Sequence, residues 1–171
     1  MKLLTYLLIL SLIALQGCFY ISEKQVEKLD KRYIPELGDE GFLIFKSNQL
    51  NKDTFYIDYS KEEALIADNE YYERVNIDYR KENVDFFNIN IQTYYDDKIF
   101  LNSFGHIDFN QPLKSYRQNG HNYPDVFIFE TVTENRADSR NTDVRTVWYS
   151  ISRGIVRYDM KGGESYKLIE E

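Results

Sequence analysis

The sequence predicts a mainly β chain, folded as a single antiparallel β-sandwich, barrel or strongly curved sheet with one or two short helices. Three observations point there. Beyond Gly41 apolar side chains recur at every second residue, the pattern of strands with one buried and one polar face. The 15 Tyr and 11 Phe are residue types that fit a pleated, half-buried surface. Short β-branched or aromatic runs, about nine of them, follow one another with turn residues between. A length of 171 residues accommodates one domain and a short appendage at about 150 residues per domain. With 43% hydrophobic and 29% charged residues, the chain is neither a disordered tail nor a multi-span membrane protein.

Residues 1–17 form a targeting segment. Lys2 supplies a minimal positive start, and Leu3 to Leu15 is an apolar run broken only by Thr5, Tyr6 and Ser11, as in the h-region of a signal peptide. A permanent span needs about 20 apolar residues, and this run stops at Gln16 and Gly17. It closes as Leu15-Gln16-Gly17-Cys18, which resembles the lipobox of bacterial lipoprotein signal peptides. The resemblance implies a diacylglyceryl group on the Cys18 thiol, cleavage between Gly17 and Cys18, and acylation of the new amino terminus. Two or more chains, at about 0.8 kcal/mol per buried methylene, hold a protein to a membrane durably. Cys18 is also the only cysteine, which removes disulfide scaffolds and Cys-based zinc sites.

The mature chain would have 171 − 17 = 154 residues and, with Lys2 gone, a formal charge of 20 − 28 = −8. A chain of this size buries roughly 68–70% of its unfolded surface and needs no covalent staple. The acidic balance and the lack of a basic stripe argue against nucleic acid as a partner. Phe19 follows Cys18 where an Asp would resemble an inner-membrane retention signal. The expected location is therefore the outer membrane, on its periplasmic face or at the cell surface.

Residues 18–41 read as the lipidated Cys followed by a tether or short helix. Ser22-x-x-Gln25 resembles a capping box, Val26, Leu29 and Tyr33 would share one helical face, and Pro35, Gly38 and Gly41 would end it. Residues 42–171 then form the β-rich domain. Strands are expected at Phe42–Phe45, Phe55–Tyr59, Val75–Tyr79, Phe87–Ile91, Ile99–Phe104, Val126–Val132, Val144–Ile151, Gly154–Met160 and Ser165–Ile169. Hairpin turns are expected at Tyr95-Asp96-Asp97-Lys98 and at Lys161-Gly162-Gly163-Glu164, the glycine pair suiting a type I′ turn. Ser60 to Tyr72 is the second helical candidate, from its Ser60-x-x-Glu63 box and Ala64-Leu65-Ile66-Ala67 centre.

Catalytic motifs are absent from the sequence: it has no nucleophile elbow, phosphate loop, His-Glu-x-x-His or calcium loop. The one pairing with geometry is His106 and Asp108, which share a face if their segment is a strand. With His121 brought near they could hold a metal or act as acid and base. The simpler expectation places His106 at a strand edge and His121 in the turn Asn119-Gly120-His121-Asn122, so no catalytic and no metal residue is expected. Asp96 and Asp97 are solvated turn carboxylates, and the loop Asn135 to Asp143 is a solvated connection.

The aromatic surplus is the remaining signal. Tyr71-Tyr72, Phe86-Phe87, Tyr94-Tyr95 and Trp148-Tyr149 put rings on both faces of their strands. Packing accounts for them most simply, while a ring-lined concave sheet could bind an apolar or glycan ligand. Trp148 and Tyr149 are then the candidate ligand-binding residues.

The C-terminal third carries one further likeness. Its Gln118-Asn119-Gly120-His121-Asn122-Tyr123-Pro124-Asp125-Val126-Phe127 entry, then Val147-Trp148-Tyr149-Ser150, then Gly154-Ile155-Val156 with the Gly163-Glu164 turn, resembles the end of many small uncharacterised lipoproteins of Gram-negative bacteria. It departs from them at Ser165 and Tyr166, where a Trp is expected, and at the Ser-Arg before Gly154. The resemblance implies an envelope lipoprotein with a β-rich domain and carries no activity. The expected function is thus a non-catalytic accessory or scaffold protein of the cell envelope, with the membrane and an envelope protein as partners. No cofactor is expected beyond the covalent lipid on Cys18. The alternative is a binding module for an apolar or glycan ligand in an aromatic-lined β cavity.

Overall fold

A computed structural model describes residues 25–37, 41–67, 70–82, 84–93, 98–101, 104–130 and 143–170. The targeting segment, Gly17, Cys18, the start of the expected capping box at Ser22, the ring pair Tyr94-Tyr95, the turn residues Asp96 and Asp97, and most of the loop from Asn135 lie outside them.

The described chain is one antiparallel sheet, strongly curled into a half-barrel, joined by a single short parallel strand. A first run of hairpins comprises β2 (Phe42–Ser47), β3 (Lys52–Ala67), β4 (Glu70–Lys81), β5 (Val84–Gln92), β6 (Lys98–Leu101) and β7 (Gly105–Asp108). A second comprises β8 (Lys114–Gln118), β9 (His121–Glu130), β10 (Val144–Ser150), β11 (Gly154–Met160) and β12 (Ser165–Leu168). The spatial order is β7-β6-β5-β4-β3-β2-β12-β11-β10-β9-β8. Each run is a meander, and the two are sealed where β12 pairs with β2, Leu168 opposite Phe45.

This order explains the curl. Eleven strands about 4.8 Å apart would spread over roughly 48 Å if flat, yet β7 and β8 sit at opposite ends of the path. The segment between Asp108 and Lys114 can reach only about 20 Å when fully extended. The sheet must bend until its ends approach, and β7 accordingly lies against β9.

The concave side is filled with side chains. Phe45, Phe55, Tyr79, Phe87, Tyr149 and Tyr158 are all 2% exposed or less, and their rings interlock at centroid distances of 5.5 Å for Phe45 and Tyr158, 5.5 Å for Phe87 and Tyr158, and 5.9 Å for Phe55 and Phe87. Tyr158 also stacks on Tyr166 at 4.7 Å. Ile77, Ile89, Ile91, Ile99 and Leu101 continue the core toward β7.

Three expectations are corrected. Ser60 to Tyr72 is not a helix but the outer part of the long β3–β4 hairpin. Local helix propensity is worth tenths of a kcal/mol per residue, and here cross-strand pairing outweighs it: Glu62 takes the Arg74 guanidinium and the Asn76 amide, and Lys61 meets Glu73 at 3.0 Å. The second correction is at the amino terminus, where β1 (Gln25–Glu27) pairs parallel with β4 at Glu70 to Tyr72, on the stretch of edge that β5 leaves uncovered. A 3-10 turn, Lys31–Tyr33, follows, capped by the Asp30 carboxylate. This strap is docked along the domain. The Leu29 amide donates to Glu73, Tyr33 stacks on Phe109, and the Glu36 amide donates to the Ser152 carbonyl. Burial opposes the charge on Glu73, but Lys61 and the Leu29 amide outweigh it and hold the carboxyl below its ordinary pKa.

The third concerns turns. Only Gly163 of the glycine pair has positive φ, +88°, and the Gly163 amide donates to the Met160 carbonyl. That is a three-residue hairpin loop ending in a left-handed glycine, not type I′. The type I′ geometry falls instead at Asn119 (φ 48°) and Gly120 (φ 89°), so His121 is the first residue of β9 and not part of the turn.

The buried phenols make the fold sensitive to alkali. Burial raises the pKa values of Tyr79, Tyr149 and Tyr158 well above the ordinary value near 10. A raised folded pKa means the unfolded chain releases these protons first, so their stabilisation is complete below about pH 10 and declines as pH rises further. We expect tyrosinate absorbance to show a fraction of phenols titrating only in one cooperative step, together with loss of near-ultraviolet circular dichroism. Smooth ionisation of every tyrosine with the fold intact would contradict the packing.

Candidate functional site

Trp148 and Tyr149, adjacent on β10, point to opposite sides of the sheet. Tyr149 is fully buried in the core, and its hydroxyl has no hydrogen-bond partner among the described residues. Trp148 lies on the other face, half-buried. Register places it opposite Arg157 of β11, whose guanidinium carbon stands 4.3 Å from the centre of the ring. Arg157 is held there by Asp159, through Nε at 2.8 Å and Nη2 at 3.1 Å. Tyr116 of β8 borders the pair, 6.4 Å from the indole and stacked at 6.1 Å on Tyr123. Burial works against the charge of Arg157, but Asp159 and Tyr116 more than compensate, so it remains a cation. A desolvated cation over an indole contributes about 2 kcal/mol. One face of the indole is therefore already occupied by the chain's own guanidinium.

The residues considered for acid–base or metal chemistry are separated. Gly105 opens β7, and His106 stands exposed on it with its ring 5.5 Å from Phe100. Asp108 shares its face, as the spacing predicts, and faces Lys98 at 3.6 Å. His121 has a different partner altogether: its Nδ1 lies 2.7 Å from Glu170 beyond β12. Among the described residues no three His, Cys, Asp or Glu side chains converge as metal ligands would.

His121 instead belongs to a cleft that the sequence did not reveal. Leu37 of the strap, the start of β2 and the end of β12 enclose about 460 Å³, walled by Phe42, Leu43, Ile44, Leu168 and Ile169. Its rim is polar. Glu170 accepts from His121 and lies 3.8 Å from Arg153. The tip of the β8–β9 hairpin is pinned beside it, because the buried Gln118 amide donates to the Leu168 carbonyl at 2.7 Å. A second hollow of about 420 Å³ lies on the other side of Leu37, between Ile34, Ile57 and Tyr59. The cleft is apolar in its walls, and its rim sets Glu36 and Glu170 beside Arg153 and His121, so it can take an apolar group but offers no net positive charge to an acidic head. His121, Arg153 and Glu170 are far apart in sequence and in no shared motif, and only the folded sheet brings the start of β9 and the β10–β11 turn to the residue that follows β12.

No family model, no curated protein and no solved structure matches the chain.

Proposed function

We propose that this is a lipid-anchored protein of the cell envelope, held at the outer membrane through an acylated Cys18, whose domain works by protein contacts as an accessory or scaffold and not by catalysis. The observation that carries the anchor is Leu15-Gln16-Gly17-Cys18 closing an apolar run, with the chain's only cysteine at the modified position. The filled interior supports a contact role, since Phe45, Phe55, Tyr79 and Tyr158 occupy the volume a ligand-binding barrel would leave open. Polar groups are also engaged with one another, Arg157 with Asp159 and Lys81 with Asp53.

The second reading, a binder of an apolar ligand, is favoured by the cleft at Leu37 and Leu168 and not by an aromatic cavity. One measurement addresses both: intact mass of the full-length gene product purified from its own host, taken under native and denaturing conditions. We expect a denatured mass equal to the 154 residues (171 − 17) that begin at Cys18 plus a covalent acylated glyceryl group, and an unprocessed, unmodified chain from Cys18→Ser. A wild-type chain retaining residues 1–17 without lipid overturns the anchor. Extra native mass that disappears on denaturation supports the cleft as a ligand site.

A further inference from the structure

We infer that the open edge of β3 is a self-association surface, on which a second copy of this chain lays its own β3 antiparallel about a two-fold axis at Glu62. β2 pairs with β3 only as far as Tyr56, and the Ile57 amide still donates to the Gly41 carbonyl at 2.9 Å. From Asp58 to Ala67 no described strand lies on that side, although β4 pairs on the other side to the end. Because the Ile57 amide points toward the β2 side, the two-residue period turns the backbone groups of Tyr59, Lys61, Glu63 and Leu65 the same way. Two of these carry large apolar side chains in the open, Tyr59 at 49% exposure and Leu65 at 61%.

A bare edge of this kind is a template for another strand. Its own sequence says which strand fits. With Glu62 opposite Glu62 of the second copy, Tyr59 faces Leu65 and Lys61 faces Glu63, each pair occurring twice as an isologous contact requires. Shifting the axis to residue 61 sets Lys61 against itself, and shifting it to residue 63 sets Glu63 against itself, both unfavourable on a sheet. Each of the three registers sets like charges at its axis, Glu62 in the first, and what selects that one is that it alone brings Lys61 against Glu63, twice.

The partners already present are compatible with the pairing. Lys61 holds Glu73 at 3.0 Å, and an ammonium has three donors. A carboxylate has about four acceptor sites, so Glu63 has capacity for the incoming lysine whatever else it holds. Glu62 at the axis brings its own counter-charge, since it accepts from Arg74 Nε at 2.7 Å and from the Asn76 amide at 2.9 Å. The four facing positions of β3 would exchange about eight backbone hydrogen bonds, two per pair. The result is a continuous ribbon running from one half-barrel through both β3–β4 arms into the other. This association does not depend on whether Cys18 is acylated.

The test is site-directed cross-linking of the full-length chain in the membranes of its own host, read on non-reducing gels and by mass. Glu62→Cys places two thiols across the axis at a non-hydrogen-bonded pair, where side chains lie closest. Asp58→Cys is the control. In this register its two thiols lie roughly 27 Å apart, at about 3.3 Å per residue over eight residues, beyond what a disulfide can bridge. Expected is a species of twice the chain mass from Glu62→Cys, at least severalfold above Asp58→Cys, and its loss when Leu65→Asp is added to Glu62→Cys. Leu65 is exposed, so an unchanged thermal melt for that variant separates lost association from lost folding. Equal cross-linking at both positions, none at position 62, or a product that is not twice the chain mass overturns the proposal, the last two being the outcomes if the chain's own residues or another protein cover the edge. The unsubstituted chain, run alongside, shows any product formed through Cys18, which tells against the acyl anchor and not against the edge.

Discussion

Gly154→Ala should be among the most damaging single-methyl changes in this protein, lowering the free energy of unfolding by roughly 3–5 kcal/mol. Two costs combine. Gly154 has φ +79°, a conformation that costs a residue with a Cβ about 1–2 kcal/mol. The added methyl would also run into the Tyr79 hydroxyl and stand 3.2 Å from Leu37 Cδ2, and overpacking a tight core costs about 1–3 kcal/mol. The ring cannot retreat freely. Tyr79 is fully buried, and its oxygen accepts the Ile155 amide at 3.1 Å, so displacing it leaves a strand amide without a partner. For a domain of this size each kcal/mol shifts the melting temperature by about 2–4 °C, giving a fall of about 6–20 °C. Gly162→Ala provides the contrast, because Gly162 is exposed in the β11–β12 turn with open space around its Cβ position. It should stay within about 0.5 kcal/mol of wild type. The double variant Gly154→Ala with Tyr79→Phe should cost less than the sum of the singles, since removing the hydroxyl removes the obstacle. Equal melting temperatures for the two alanine variants would refute the packing argument.

The second large effect is expected at Asp53, a carboxylate only 7% exposed near the start of β3, opposite Phe45 of β2. One oxygen accepts the Tyr158 hydroxyl at 2.5 Å and the other takes the Lys81 ammonium at 2.6 Å. Asp53→Ala removes both acceptors at once. The phenol, buried between Phe45 and Tyr166, then has no partner, and the lysine loses its counter-charge. Breaking a buried ion pair from one side costs about 3–5 kcal/mol. Because the Lys81 side chain is 35% exposed and can turn to water, the lower end, about 3 kcal/mol, is expected in chemical denaturation. Asp53→Asn should fall between, because an amide oxygen still accepts the phenol but offers Lys81 no charge. If Asp53→Ala were neutral, the contact would be incidental to folding.

Much of this architecture is legible in the residues because its cause is local. Alternation of apolar and polar side chains along Val75 to Tyr79 and Phe87 to Ile91 reports a strand whatever its neighbours are, and both segments are strands with the expected faces buried. Asn119-Gly120 announces a tight turn because few residues accept positive φ, and both do here. Ser60 to Tyr72 misleads for the opposite reason. Its helix signals are local, whereas the ion pairs and amide contacts that make it a hairpin, Glu62 with Arg74 and Lys61 with Glu73, join residues twelve apart that only the paired conformation brings together. The strap is misread on the same grounds, since Leu29 and Tyr33 find Glu73 and Phe109 only across the fold.

The candidate site divides in the same way. That Trp148 and Tyr149 face opposite sides follows from the strand period alone, but that one is capped by Arg157 and the other sealed in the core depends on which strands lie beside β10. By itself, then, the sequence determined the class of fold, the cores of β2 to β6 and β9 to β12, and a lipobox-like start, because each rests on periodicity, turn chemistry or a contiguous motif, whereas β1, β7 and β8 carry no such signal. Only the tertiary structure decided that interlocking rings fill the concave side, that a cleft joins His121, Arg153 and Glu170, and that no described strand pairs with β3 beyond Ile57 on its β2 side. Those features arise where β12 meets β2 and where the sheet curls until β7 approaches β9, and such pairings between distant strands leave no periodic trace in either partner.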